Sequence, residues 1–289
     1  MYRQLKNERL TVTVTEPGHD YCEQRFDWTG FVTQVTLDGN HTFCAYESNN
    51  PMQGSGGIGL CSAFMGIKQN NYDATPVGCE YLSIGVGRVT RTSEAPYNFM
   101  ARLPVRPFKT DVTADAHKLS FCQTGESCNG FMYELEKDVS ICENKLKITT
   151  RLLNTGEQTI DTTEFNHNFL CIDEAPLGPD YKMTLPYTPE ITIDKGNYVI
   201  ETKSLSLRHM HEKDYFYCNV NNFDSVADHF WELIHLPSGV SVRETGDFTV
   251  CAFNIWGRSH VVSPEVFVKI NIAPGKKFEW TRFYSFDKK

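Results

Sequence analysis

Apolar and polar residues alternate along most of this chain. Segments 11–15, 32–37, 81–86, 146–152, 191–193 and 198–202 repeat with a period of two and are rich in Val, Ile, Thr and aromatic residues. That is the pattern of strands with one buried face. Turn-forming runs separate them: Asp38-Gly39-Asn40, Asn154-Thr155-Gly156, Asp194-Lys195-Gly196-Asn197, Pro237-Ser238-Gly239, Thr245-Gly246-Asp247 and Pro274-Gly275. Gly and Asn can adopt positive φ there, so several read as hairpin connections. No stretch of a dozen residues holds an apolar period of 3.6, and short helical turns are expected only near 114–117 and 225–231. The pattern predicts an all-β protein, two packed sheets built from antiparallel meanders.

One segment departs from it. Residues 49–74 lack alternation and are dense in Gly and Asn. Their glycines loosely resemble a phosphate-binding loop, but no Lys-Ser/Thr follows and no strand-to-helix context surrounds them. The reading is a long surface loop, placed to form the rim or lid of a site. No repeat, low-complexity linker or composition shift marks a boundary, so residues 1–289 are expected to form a single domain.

Composition narrows the function classes. The chain has 40% apolar residues, including 19 Phe, 13 Tyr and 4 Trp, enough for a large core. Its net charge is −8, from 28 basic and 36 acidic residues, with no basic stripe. Nucleic acid is therefore an unfavourable partner, because phosphate binding needs clustered Lys and Arg. Apolar runs are too short to span a membrane, and no apolar stretch follows the basic N-terminal residues as in a secretory signal. The ten cysteines contain no CxxC pair, so they read as reduced, buried small hydrophobes rather than a disulfide framework or zinc site. A cytoplasmic location fits that reading. His209 and His211 have the spacing of a strand-face metal pair but no third ligand, and a solvated face is the simpler account. No metal and no cofactor are expected.

Two residues with complementary proton chemistry stand far apart: His167 in Asn166-His167-Asn168-Phe169, and Glu265 after Pro264 at the start of an apolar strand. Only a sheet can bring them together. The run from Leu153-Asn154-Thr155-Gly156 to Thr163-Glu164-Phe165-Asn166-His167-Asn168-Phe169 resembles the galactose mutarotase-like, or aldose 1-epimerase-like, superfamily. So does the ending Val262-Ser263-Pro264-Glu265, Pro274-Gly275 and Trp280-Thr281-Arg282-Phe283-Tyr284. Arg25-Phe26-Asp27-Trp28-Thr29-Gly30 and Ile84-Gly85-Val86-Gly87 look like markers of an uncharacterised branch. The resemblance implies a large antiparallel β-supersandwich with a sugar-binding cleft on one sheet.

It also implies roles. Opening a cyclic hemiacetal needs a base at the anomeric hydroxyl and an acid at the ring oxygen; by resemblance Glu265 is the base and His167 the acid. Asn166 belongs to the same motif and is expected to bind substrate. Arg88, after Gly87, is similar to the Gly-Arg of the epimerases, although Thr90-Arg91-Thr92 follow where the family has a second Asn-Arg. His117 could correspond to a second active-site histidine. Asp27 and Trp28 could form a sugar platform, an acid beside a stacking ring. The plain alternatives are a hydrogen-bonded strand histidine, a solvated edge carboxylate, a surface His117, a core Trp28 and a strand-end Asp27.

No Gly-x-Ser-x-Gly elbow and no protease-like cysteine flanks are present, which sets nucleophilic hydrolysis aside. The expected partner is a small sugar or sugar derivative, and the expected assembly a monomer or homodimer. A non-catalytic sugar-binding or sensing protein, or a polysaccharide lyase or hydrolase, remain alternatives on the same fold.

Overall fold

A computed structural model describes residues 2–50, 53–196 and 198–289. Met1, Pro51, Met52 of the 49–74 segment, and Asn197 of the expected 194–197 turn lie outside the described residues. Two ten-stranded antiparallel sheets account for most of the fold. The first runs Tyr2–Lys6, Leu10–Thr15, Val32–Leu37, Leu60–Phe64, Ile160–Asn168, Val261–Ile272, Val250–Arg258, Tyr215–Asn221 and Glu190–Lys195, with His41–Thr42 beside Val32–Leu37. The second runs Tyr198–Glu201, Ser204–Leu207, Tyr181–Thr184, Phe230–His235, Val240–Gly246, Lys277–Lys288, Lys145–Asn154, Tyr133–Cys142, Lys118–Thr124 and Thr110–Ala114. A small sheet of Glu80–Ser83, Gly87–Thr90 and Val105–Pro107 completes the strands described here.

The alternation forecast the strands because one face of each packs on the other sheet. Val12, Val35 and Leu60 of the first sheet join Val139, Leu146 and Phe286 of the second in one buried cluster. Of the expected turns, 38–40 and 237–239 close hairpins, and Asp38 and Gly39 both have positive φ (52° and 69°), as the tight connection requires. The turns at 154–156, 245–247 and 274–275 instead carry the chain from one sheet to the other.

Three expectations need correction. Residues 49–74 are not only loop, because Leu60–Phe64 is a central strand of the first sheet, paired with Ile160–Asn168. Leu60, Cys61, Ser62 and Ala63 are all buried; a strand covered on both faces has no polar side to alternate. The run expected over 81–86 ends at Ser83, since Gly85 turns with φ 78° where a Cβ would lie 2.2 Å from the Asp27 carboxylate. The two expected helical turns are absent as such. Residues 114–117 end one strand and bend into the next, and a 3-10 turn at Phe223–Ser225 precedes the Phe230–His235 strand, whose Trp231 is fully buried.

None of the ten cysteines is in a disulfide, but the expectation that they are mostly buried holds for only part of them. Cys61, Cys128, Cys171 and Cys218 are buried, whereas Cys22, Cys79, Cys122, Cys142 and Cys251 are exposed. No helix among the described residues is long and apolar enough to cross a membrane.

Candidate active site

The Ile160–Asn168 strand carries His167 and the Val261–Ile272 strand carries Glu265; the two strands are antiparallel neighbours in register Phe165↔Phe267. Side chains alternate across a strand. Glu164, Asn166 and Asn168 therefore face the second sheet, where they meet Arg282, Tyr284 and Glu244. Phe165 and His167 face the opposite way, as does Glu265. Phe165 and Phe267 stack at 4.3 Å between centroids, and one pair further along the same face His167 Nε2 lies 3.5 Å from Glu265 Oε1.

A third residue completes the cluster. Arg25, in the irregular segment between the second and third strands, places its guanidinium 3.0 Å from His167 Nε2. It also bonds the Glu47 carboxylate at 3.0 Å and the Ser55 hydroxyl. Glu47 in turn accepts from the Ser55 amide and hydroxyl at 2.7 and 2.6 Å. The Arg25 guanidinium is flanked by two rings, Phe26 at 4.9 Å and Phe99 at 4.3 Å. Phe26 also meets the His167 ring edge-on at 5.0 Å.

Burial sets the protonation states. His167 is 2% exposed and Glu265 7%. Desolvation, and then the Arg25 charge, push the His167 imidazole well below its ordinary value, so it is neutral near pH 7. Guanidinium nitrogens only donate, so Nε2 accepts from Arg25 and the imidazole proton sits on Nδ1. That atom is buried with no hydrogen-bond partner. Desolvation raises the Glu265 carboxyl to about 7, with Arg25 and the Ser263 hydroxyl pulling against it and Glu47 adding to it. Ser263 donates to Glu265 Oε1 at 3.1 Å. A carboxyl near 7 beside a neutral imidazole can pass a proton in either direction at neutral pH.

Further along the same sheet face, Trp256 meets Phe169 edge-on at 6.1 Å, and Asn219 is bonded to Asn254 and to the Tyr217 hydroxyl at 3.2 Å. The Tyr217 phenol is raised above its ordinary value mainly by burial, with a smaller contribution from Glu265. Rings alternating with amide groups are what a sugar's C–H faces and hydroxyls require. Beside Arg25 and Phe165 lies a cavity of about 460 Å³, whose walls include both residues but neither His167 nor Glu265.

The other expected site residues lie elsewhere. Asn166 faces the second sheet and donates to Asn168 Oδ1 and the Tyr284 hydroxyl. Asp27 is a fully buried partner of the Lys137 ammonium and also accepts from the Thr29 amide and hydroxyl at 2.7 Å. Trp28 is buried, donates to the Glu23 carbonyl at 2.9 Å and lines a separate hollow with Gly18 and Val105. Arg88 is on the small sheet, where it bonds Glu80 at 3.4 Å and the Ser127 carbonyl at 2.7 Å. His117 is exposed in the bend after Thr110–Ala114. His209 and His211 lie in an exposed irregular segment, and no group of three metal-ligating side chains occurs among the described residues. Sequence reasoning missed Arg25 and Glu47. The one available signal was that Arg25 opens the run Arg25-Phe26-Asp27-Trp28-Thr29-Gly30.

No protein-family model and no curated protein matches the chain by sequence. Its fold, however, is that of galactose mutarotase-like structures. The galactose mutarotase related enzyme of Lactobacillus acidophilus superposes over 100% of this chain and 98% of its own, with TM-score 0.63 and 13% identity. A galactose mutarotase-like protein of Lactobacillus casei covers 99% of this chain and 100% of its own, with TM-score 0.64 and 12% identity. An aldose epimerase homologue of C. elegans covers 100% and 99%, with TM-score 0.58 and 10% identity.

Proposed function

We propose that this protein interconverts the anomers of a reducing sugar, a monosaccharide or close derivative, by proton transfer at Glu265 and His167. The observation that carries the reading is the 3.5 Å approach of the two side chains on one sheet face. Titration and geometry together favour a resting state in which Glu265 holds the proton and His167 is neutral. On ring opening, Glu265 gives its proton to the ring oxygen as the C1–O bond breaks. His167 takes the anomeric hydroxyl proton, whose O–H electrons become part of the C1 carbonyl. Rotation about C1–C2 and return of both protons closes the ring as the other anomer.

These roles are the reverse of those the resemblance implies, Glu265 as base at the anomeric hydroxyl and His167 as acid at the ring oxygen, because the pair's one shared proton is placed on the carboxyl at rest. Burial favours the uncharged arrangement at rest, and the charged arrangement then arises beside the open-chain sugar. His167 must first be freed from the Arg25 guanidinium, so a substrate oxygen takes the place of Nε2 as its acceptor.

Polarimetry or NMR exchange spectroscopy with several aldoses tests this reading. Glu265→Gln should slow exchange by roughly 10²–10⁴-fold, the usual contribution of a positioned proton-transfer group, with the fold intact. An unchanged rate rejects the mechanism. A sugar-binding protein without turnover is the second reading, favoured by the near-complete burial of the pair and by Arg25 occupying Nε2. Sugar-induced thermal stabilisation with no accelerated exchange would decide for it.

A further inference from the structure

The cavity beside the acid–base pair is set apart from it by two side chains. Arg25 and Phe165 belong to its wall, and the same Arg25 touches His167 at 3.0 Å while the Phe165 ring lies 4.5 Å from the imidazole. The hollow exists because Ala63, small and buried, stands opposite Phe165 in the strand register. Its volume of about 460 Å³ falls within the range of small-ligand sites.

The opposite wall is aromatic and open to solvent. Tyr97 and Phe99 are 42% and 48% exposed, and Met65 near them 54%. Tyr97 packs on Tyr72 at 5.5 Å, and Tyr72 meets Tyr81 edge-on at 6.3 Å. Gln24 holds this segment in place by bonding the Ala101 carbonyl and the Leu103 amide. Exposed rings on an anchored segment, around a hollow that also presents Arg25, Asn71 and Asp73, suit a ring with apolar faces and a hydroxylated edge.

We propose that this cavity is a second subsite that holds the non-reducing ring of a reducing disaccharide whose anomeric carbon lies at Glu265 and His167. The inference rests on the anomer-exchange reading for the orientation of the sugar. A glycoside blocked at C1 could not react there, so the second ring must be joined through another hydroxyl of the reducing unit. Arg25, which lines the cavity and touches His167, then lies near the glycosidic linkage, and the reducing ring reaches the pair only as Arg25 gives up its contact with His167.

The test compares glucose and galactose with cellobiose and lactose in the wild type and in Tyr97→Ala. Loss of one stacking ring should lower kcat/KM for the disaccharides about 3- to 10-fold and leave the monosaccharides unchanged. Ala63→Leu, which fills the hollow, should discriminate in the same direction. Equal losses for both sugar classes, or no loss for either, would overturn the subsite. NMR titration of cellobiose into Glu265→Gln separates the two ideas. Tyr97-dependent disaccharide binding without exchange in the wild type retains the subsite and rejects the turnover reading. Monosaccharide exchange with Tyr97-independent disaccharide kinetics does the reverse.

Discussion

Two arginines, Arg282 buried and Arg25 half-buried, organise two charged clusters on opposite faces of the first sheet, and they are finished differently. Between the sheets, Arg282 bonds Glu164 and Glu244, each at 2.7 Å, and the Val266 carbonyl at 2.9 Å. Glu244 accepts further bonds from Trp231 and Asn168. On the other face, Arg25 meets a neutral imidazole, and among the described residues the neighbouring Glu265 accepts a hydrogen bond from Ser263 alone. The Arg282 guanidinium is held more firmly charged by Glu164 and Glu244 than burial opposes, whereas Glu265 is left near 7. A buried charge held between two carboxylates is structural, even though the Arg282 Nε is left without a partner among the described residues; a carboxyl raised by burial and short of donors can exchange its proton.

The contrast can be broken first at its structural end. Arg282→Met strands two buried carboxylates, and urea denaturation should show a loss of about 3–5 kcal/mol. A loss below about 1 kcal/mol would mean the inner cluster is not finished as described. The second test uses Glu265→Gln and the sign of its titration. The folded-state value near 7 exceeds the ordinary 4.5, so the native state holds this proton more tightly than the unfolded chain. Stability from that proton is complete below about pH 4.5 and is lost as pH rises through 7. Glu265→Gln should therefore be more stable than wild type at pH 8 by up to ~3 kcal/mol, with the gap closing toward pH 4. Parallel stability curves would refute the assignment.

Arg25→Met sharpens the comparison with a smaller effect. It removes the positive charge that lowers both Glu265 and His167. If the one-proton pair is the active form, exchange falls as pH rises through about 7 in the wild type. In the variant that limb should move up by about one pH unit, and a limb moving to lower pH would contradict the electrostatics. Smallest of all should be Lys269→Ala, which deletes an ion pair to Asp161 on the same two strands where they reach solvent. Its cost should stay within ~1 kcal/mol; a larger loss would show that solvent exposure is not what separates weak pairs from strong ones here.

What the sequence made legible follows the same division between one-faced and two-faced burial. The Val32–Leu37 strand coincides with its alternating segment because Val35 and Leu37 are buried while Gln34 and Thr36 remain half-buried. Leu60–Phe64 was hidden in an apparent loop because neighbours cover both of its faces. His167 and Glu265 could be nominated from their flanking motifs, and the sheet brings them together across 98 residues of chain (265 minus 167). Asn166 shows how a motif misleads: it adjoins His167, and strand alternation alone sends it to the other face. Arg25 was passed over, although it opens a marked run, for a different reason. It lies in irregular chain with no periodicity, and its partner is 142 residues away.

The anchoring of that irregular chain has a practical consequence for redesign. Asp27, two residues after Arg25, is clasped by Lys137 from the far sheet, and its amide donates to the Ser62 carbonyl at 2.9 Å. Trp28 is tied to the Gly85 carbonyl at 3.0 Å, and the Gly85 amide to the Tyr133 hydroxyl at 3.0 Å. The guanidinium is thus aimed from behind, by residues that lie outside the wall of the cavity it lines. Libraries that probe the proposed sugar preference should leave that rear mounting untouched and vary the rings in front of it.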